Sequence, residues 1–197
     1  MNNRSRNKRF VTSVTALFAL ALVAMMSLSP AQAAKLAGVT MADTVTLDGK
    51  TLVLNGLGVR AATFMKVKVY IIGLYLENKS SDAKAIITSD QVKRIEMQFV
   101  HDVSAEDIRE GWSEAFENNY KDVASIGHEI SKFNASMQDM ETGDSIVLEF
   151  SADTVNVLVK NNKVDTIKGE AFQQAALSIW LGKKPPNKEL KTGILGK

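Results

Sequence analysis

The sequence predicts an α+β fold in which a largely antiparallel sheet carries its helices on one face. Three observations lead there. Short runs rich in β-branched residues alternate with hairpin signals, and two helical stripes interrupt them midway. More strand-like runs then precede one last helix. Strands, a helix pair, strands and a helix is the order expected when helices gather on one side of a sheet built from sequential neighbours.

The first residues read as an address. Arg4, Arg6, Lys8 and Arg9 form a basic start without an acid, and Phe10 to Leu28 is apolar. Ala31-Gln32-Ala33 then supplies the small-x-small pattern that signal peptidase reads. The apolar run approaches spanning length, so an uncleaved anchor is the alternative. The expectation is a cleaved signal peptide over residues 1–33, one domain over 34–197, export to the periplasm, and no stable membrane insertion afterwards.

Removing the leader changes the charge balance. The full chain has 24 basic and 22 acidic residues, a net +2. Four of the basic residues lie in the leader, so the remainder is about −2. Nucleic acid is therefore not an expected partner, since it calls for a clustered basic surface. With no cysteine, the fold is compatible with an oxidising compartment and has no disulfide.

Asp48-Gly49 between TVTL and KTLVL reads as a tight hairpin. Asn55-Gly56-Leu57-Gly58 reads as a glycine-rich turn that leads into Arg60. From Lys66 to Leu76 nearly every residue is β-branched, aromatic or aliphatic. Val67, Val69 and Ile71 take one face of that strand, and Tyr70, Ile72 and Leu74 the other. Apolar faces on both sides predict a central strand. A short helix over Ala83 to Thr88 follows, and then Val92 to Val100, a strand with one wet face.

Ser104 with Asp107 resembles a capping box opening a helix. Ile108, Trp112, Ala115 and Phe116 make its apolar stripe, and Asn118-Asn119 ends it. Ile126, Ile130, Phe133 and Met137 mark a second helix. Such stripes are ordinary core or the wall of a pocket. Gly143-Asp144 opens the second β section, SIVLEFS and TVNVLVK, and Asn161-Asn162 turns into VDTIKG. The last helix spans Glu170 to Leu181, with Phe172, Ala175, Ala176 and Ile179 on one face. Gly182 ends it and Pro185-Pro186 keeps it ended.

Catalytic constellations are nearly missing. His101 and His128 are the only histidines, and they lack metal-site spacing. No GxSxG elbow, P-loop or dinucleotide fingerprint occurs. What stands out is one arginine at the edge of a doubly apolar strand: Arg60 is either a ligand-pairing charge or a surface residue at a strand end.

Several segments carry a family resemblance. GVR followed by KVYIIGLYL, then WSEAFENN, then GEAFQQAALSIWLGKKPPNKELKTGILG, resemble the chalcone isomerase-like superfamily, in its bacterial secreted branch. The resemblance implies an open-faced sandwich, a large antiparallel sheet packed on a layer of helices with a ligand between them. Plant members are isomerases; related non-catalytic members bind fatty acids, pairing the carboxylate with an arginine and a tyrosine. Arg60 and Tyr70 match those two positions. Tyr70 also stands where the plant isomerases carry a catalytic threonine. Their catalytic tyrosine falls near Ser104 and their catalytic asparagine near Gly111.

Losing one oxyanion donor typically costs about 10²–10³ in rate, so the resemblance favours binding over catalysis. The expected ligand is a fatty acid or similar apolar carboxylate, touched by Arg60, Tyr70, Ser104, Trp112 and Phe116, with no cofactor. Alternatives are an isomerase of chalcone isomerase type (an intramolecular lyase), a haem-binding protein pairing Arg60 with a propionate, and an envelope scaffold without a ligand.

Overall fold

The structure is a computed structural model and describes residues 33–62 and 67–197. The expected leader lies outside these residues except for Ala33, as does Lys66 at the start of the expected central strand. Nine strands are described. β1 (Ala33–Leu36) and β2 (Val39–Ala42) form a separate antiparallel hairpin. β3 (Thr44–Leu47), β4 (Lys50–Ala61), β5 (Lys68–Leu76), β6 (Lys93–Phe99), β7 (Ser145–Ser151), β8 (Thr154–Val159) and β9 (Asn162–Lys168) make one sheet. Its strands lie side by side in sequence order, every pair antiparallel.

The helices are α1 (Ala83–Thr88), α2 (Ala105–Asn119), α3 (Gly127–Ala135), α4 (Glu170–Leu181) and α5 (Lys188–Ile194), with a 3-10 turn at Val123–Ile126. Asp82 caps α1 by accepting from Lys84 N and Ala85 N, and Ser104 caps α2 by accepting from Asp107 N. In the core, Tyr70, Ile72, Leu74 and Leu76 of β5 join Ile95, Met97 and Phe99 of β6. Against them pack Ile108, Trp112 and Phe116 of α2, Phe133 of α3, and Phe172, Ala176 and Ile179 of α4. α4 is buried nearly all round; its small residues Ala175 and Ala176 let neighbours close in.

The expected central strand is central. β5 sits between β4 and β6, and both of its faces are covered. On the face away from the main core, Ile71 meets Val39 and Met41 of the β1–β2 hairpin, and Tyr75 packs with Leu52, Leu54 and Val92.

Two expectations need correction. Asn55-Gly56-Leu57-Gly58 is no turn: it continues β4, with a bulge between Leu54 and Gly56. Its glycines serve close packing instead. A Cβ on Gly56 would run into the backbone oxygen of Gly193, and one on Gly58 would lie 2.7 Å from Leu190 O. The strand after Ala83–Thr88 does keep one wetter face, Arg94, Glu96 and Gln98, but its inner face admits a charge. Lys93 points inward with Ile95, Met97 and Phe99 and is 2% exposed, donating from Nζ to Ser89 O beyond the end of α1. Second, Glu170–Leu181 is not the last helix: Gly182 does end it, but α5 follows soon after the Pro-Pro pair.

α5 has a particular task. β3 pairs only with the first residues of β4, Lys50 to Val53, so the rest of that β4 edge has no strand beside it. α5 and the residues after it fill the place. Asn55 Nδ2 donates to Ile194 O at 2.8 Å, and Gly193 fits where a Cβ would strike Leu57 O.

Candidate functional site

At one end of the sandwich the sheet and helix layers part to leave a cleft of about 420 Å³, within the range of small-molecule sites. The sheet supplies Arg60, Val69, Tyr70 and Phe99. α2 supplies Ile108, Gly111, Trp112 and Ala115, with Asp107, Glu114 and Asn118 nearer the mouth, and the segment after α4 supplies Lys184, Pro185 and Pro186. Asn119 binds that segment to α2, accepting from Lys184 N at 2.8 Å and donating to Lys184 O at 2.9 Å.

Arg60 and Tyr70 are direct cross-strand partners on β4 and β5, so their side chains leave the sheet on the same face. Tyr70 is 7% exposed, and its hydroxyl oxygen accepts from Trp180 Nε1 at 3.0 Å. That bond uses a lone pair and leaves the phenolic proton free to be donated. Burial pushes the Tyr70 pKa up, partly opposed by the Trp180 bond and by the Arg60 charge. The group is thus a neutral donor at ordinary pH.

Arg60 is half-buried and donates from Nη1 to Ala61 O. Among the described residues no carboxylate lies within ion-pair distance of it, and the residues outside that range contain no Asp or Glu. A half-buried guanidinium keeps most of its five donors for something else.

Of the residues expected to touch a ligand, Arg60, Tyr70 and Trp112 line the cleft. Trp112 packs edge-on against Trp180, ring centres 5.5 Å apart. Ser104 does not line it: it is exposed at the start of α2, and its hydroxyl is occupied with Asp107 Oδ2 at 2.7 Å. Phe116 is one turn too deep. It is fully buried against Phe133 and Phe172, because the four-residue step from Trp112 turns it into the core. Gly111 lines the cleft with open space where a side chain would stand. Neither histidine lines it. Sequence reasoning did not place Lys184, Pro185 and Pro186 in the cleft; the Pro-Pro pair marked the helix end and gave no hint of a wall.

An antiparallel sheet with helices on one face and a cleft between the layers defines an open-faced sandwich of the chalcone isomerase type. The family model described as chalcone isomerase-like matches residues 33–196, and the chain belongs to the chalcone isomerase-like family. The crystal structure of a fatty-acid binding protein of Arabidopsis thaliana is similar, with a TM-score of 0.70 over 83% of this chain and 96% of that one. Sequence identity is 16%, so the likeness is one of fold. No curated protein sequence matches the chain.

Proposed function

We propose that the cleft binds a fatty acid or a similar apolar carboxylate without transforming it. The observation that carries this is Arg60, a half-buried cation at an apolar cleft with no carboxylate of its own chain within ion-pair distance. A ligand carboxylate accepts from the planar guanidinium and from the free proton of Tyr70, while Val69, Phe99, Ile108 and Trp112 enclose the chain behind it. Each buried methylene adds about 0.8 kcal/mol, so the acyl chain provides most of the affinity and Arg60 sets the head-group preference. The fatty-acid binding neighbour supports the same reading at the level of fold.

Isomerisation is less well supported. Gly111 offers no side-chain donor, and the Ser104 hydroxyl is engaged outside the cleft. Haem has no histidine facing the cleft.

The test compares palmitate with the alcohol of equal length by titration calorimetry. Arg60→Ala should lose about ten- to a hundredfold in affinity for the acid, the equivalent of one charge-assisted hydrogen bond, and much less for the alcohol. Arg60→Lys should recover part of the loss. Equal affinity of the unmutated protein for acid and alcohol would sink the head-group role.

The basic and apolar leader supports membership of a secreted bacterial branch of the family and residence in the periplasm. Cleavage after Ala33 would trim only the outermost pair of the β1–β2 hairpin, Ala33 with Ala42, and leave Ala34–Met41, Lys35–Thr40 and Leu36–Val39 in place. N-terminal sequencing of envelope material should read Ala34; an intact Met1 in the membrane fraction would show an anchor instead.

A further inference from the structure

Asn187 stands at the N-cap of α5, where an asparagine side chain ordinarily accepts from the helix's first free N–H groups and contributes about 1 kcal/mol. It makes no such bond. Its carboxamide turns to β4 instead. Nδ2 donates to Val59 O at 3.0 Å, and Oδ1 accepts from Ala61 N at 3.4 Å.

Those two groups flank Arg60 and belong to the β4 edge that β3 leaves unpaired. One side chain thus presents a donor and an acceptor as a neighbouring strand residue would. The contacts then run on to the guanidinium, because Ala61 O is the acceptor of Arg60 Nη1. The β4–β5 register also shifts between Arg60 and Ala61, so the peptide that carries this acceptor lies at an irregularity of the ladder. Asn187 holds the peptide just before it, Arg60–Ala61, through the Ala61 N–H.

We infer that Asn187 is the positioning residue of Arg60. It forgoes helix capping to fix the peptides on either side of the arginine, and so sets where the guanidinium meets a ligand carboxylate. The inference rests on the proposed carboxylate-binding role of Arg60.

The test measures affinity for palmitate and for the matching alcohol in the full domain, for the unmutated protein, Asn187→Ala, Asn187→Ser, Arg60→Ala and the double variant Arg60→Ala/Asn187→Ala. Serine can cap α5 through its hydroxyl but is too short to span both β4 groups, so it separates helix stability from strand pairing if the alanine variant folds poorly. Either Asn187 variant should lose about two- to tenfold in affinity for the acid, the range of ordinary hydrogen bonds, while alcohol affinity stays. In the Arg60→Ala background the Asn187 change should add no further loss, since both act through one contact. An unmutated protein without preference for the acid would overturn the carboxylate reading itself. A preference kept in full by Asn187→Ser, or equal losses for acid and alcohol, would leave that reading standing and overturn the role of Asn187.

Discussion

Tyr70→Phe removes one oxygen from the most tightly built part of the cleft. The ring keeps its place, because its packing on Phe99 at 5.6 Å does not involve the hydroxyl. What is lost is the acceptor of Trp180 Nε1, and Trp180 is fully buried. A buried donor left unpaired costs about 1–3 kcal/mol. A loss of about 2 kcal/mol corresponds to a fall of about 4–8 °C in Tm for a domain of this size. The pH dependence has a definite sign. Burial raises the Tyr70 pKa above its ordinary value of 10.0, so its contribution is fully present below pH 10 and is lost as pH rises through the folded value. The advantage of the unmutated protein over the variant should therefore be flat through neutral pH and shrink in the alkaline range. Tyr75, pushed up to about 12 chiefly by burial, is common to both proteins and cancels. Scanning calorimetry across pH 6 to 11 reads both effects. An unchanged Tm at neutral pH, or an advantage that grows with alkalinity, would refute the argument.

Two further changes test the scaffold. Lys93→Met replaces a buried ammonium, whose pKa burial holds below the usual lysine value with partial opposition from Asp90 and Glu77, by an apolar side chain of similar length. Relief of desolvation should outweigh the lost bond to Ser89 O and stabilise the fold by about 1 kcal/mol at neutral pH. Because a depressed lysine pKa makes the unmutated protein more stable as pH rises from the folded value towards 10.5, that gain should fade in calorimetry at alkaline pH; a gain independent of pH would contradict it. Gly193→Ala drives a methyl group into Leu57 O. It should cost about 1–3 kcal/mol in urea denaturation and weaken acid binding by displacing α5 and Asn187, whereas Gly111→Ala, inside α2 with open space above it, should stabilise the fold by about 0.5–1 kcal/mol.

Much of the sheet was legible because its signals are local. Asp48-Gly49 does adopt the positive backbone angles that a tight hairpin needs, and the doubly apolar run of β5 announced a central strand; the second hairpin turns on Lys160 and Asn161, one residue before the expected pair, and Asn162 already opens β9. Ala83–Thr88 and Glu170–Leu181 have the bounds their periodicity and flanking residues suggested. The failures share a cause in distance along the chain. Gly56 and Gly58 carry the same residues as a turn, and only the arrival of α5, more than a hundred positions later, makes them a packing surface. Lys93 reads as one more charge on a strand until α1 brings Ser89 O to its amine. At the site, Arg60 and Tyr70 could be singled out by motif, but Phe116 could not be separated from Trp112: both sit on one apolar stripe, and only the helix's rotation over the sheet decides which meets the cleft. Asn187, next to the Pro-Pro pair, carries no signal of its own in the sequence.

The dependence of β4 on α5 also has a consequence in time. During synthesis β4 and β5 can pair as soon as residue 76 is free, yet the outer edge of β4 from Asn55 to Ala61, beyond the bond of Leu54 N to Asp43 O, stays bare until residues 187–196 have emerged. For most of its production the nascent chain thus carries an open strand edge, a template for pairing with another copy. A chain stopped before Asn187 would keep nearly all of its sheet and helices and still be left with that edge unsealed. Such truncated chains should therefore be sticky rather than unfolded, prone to join edge to edge at a place the complete fold keeps closed.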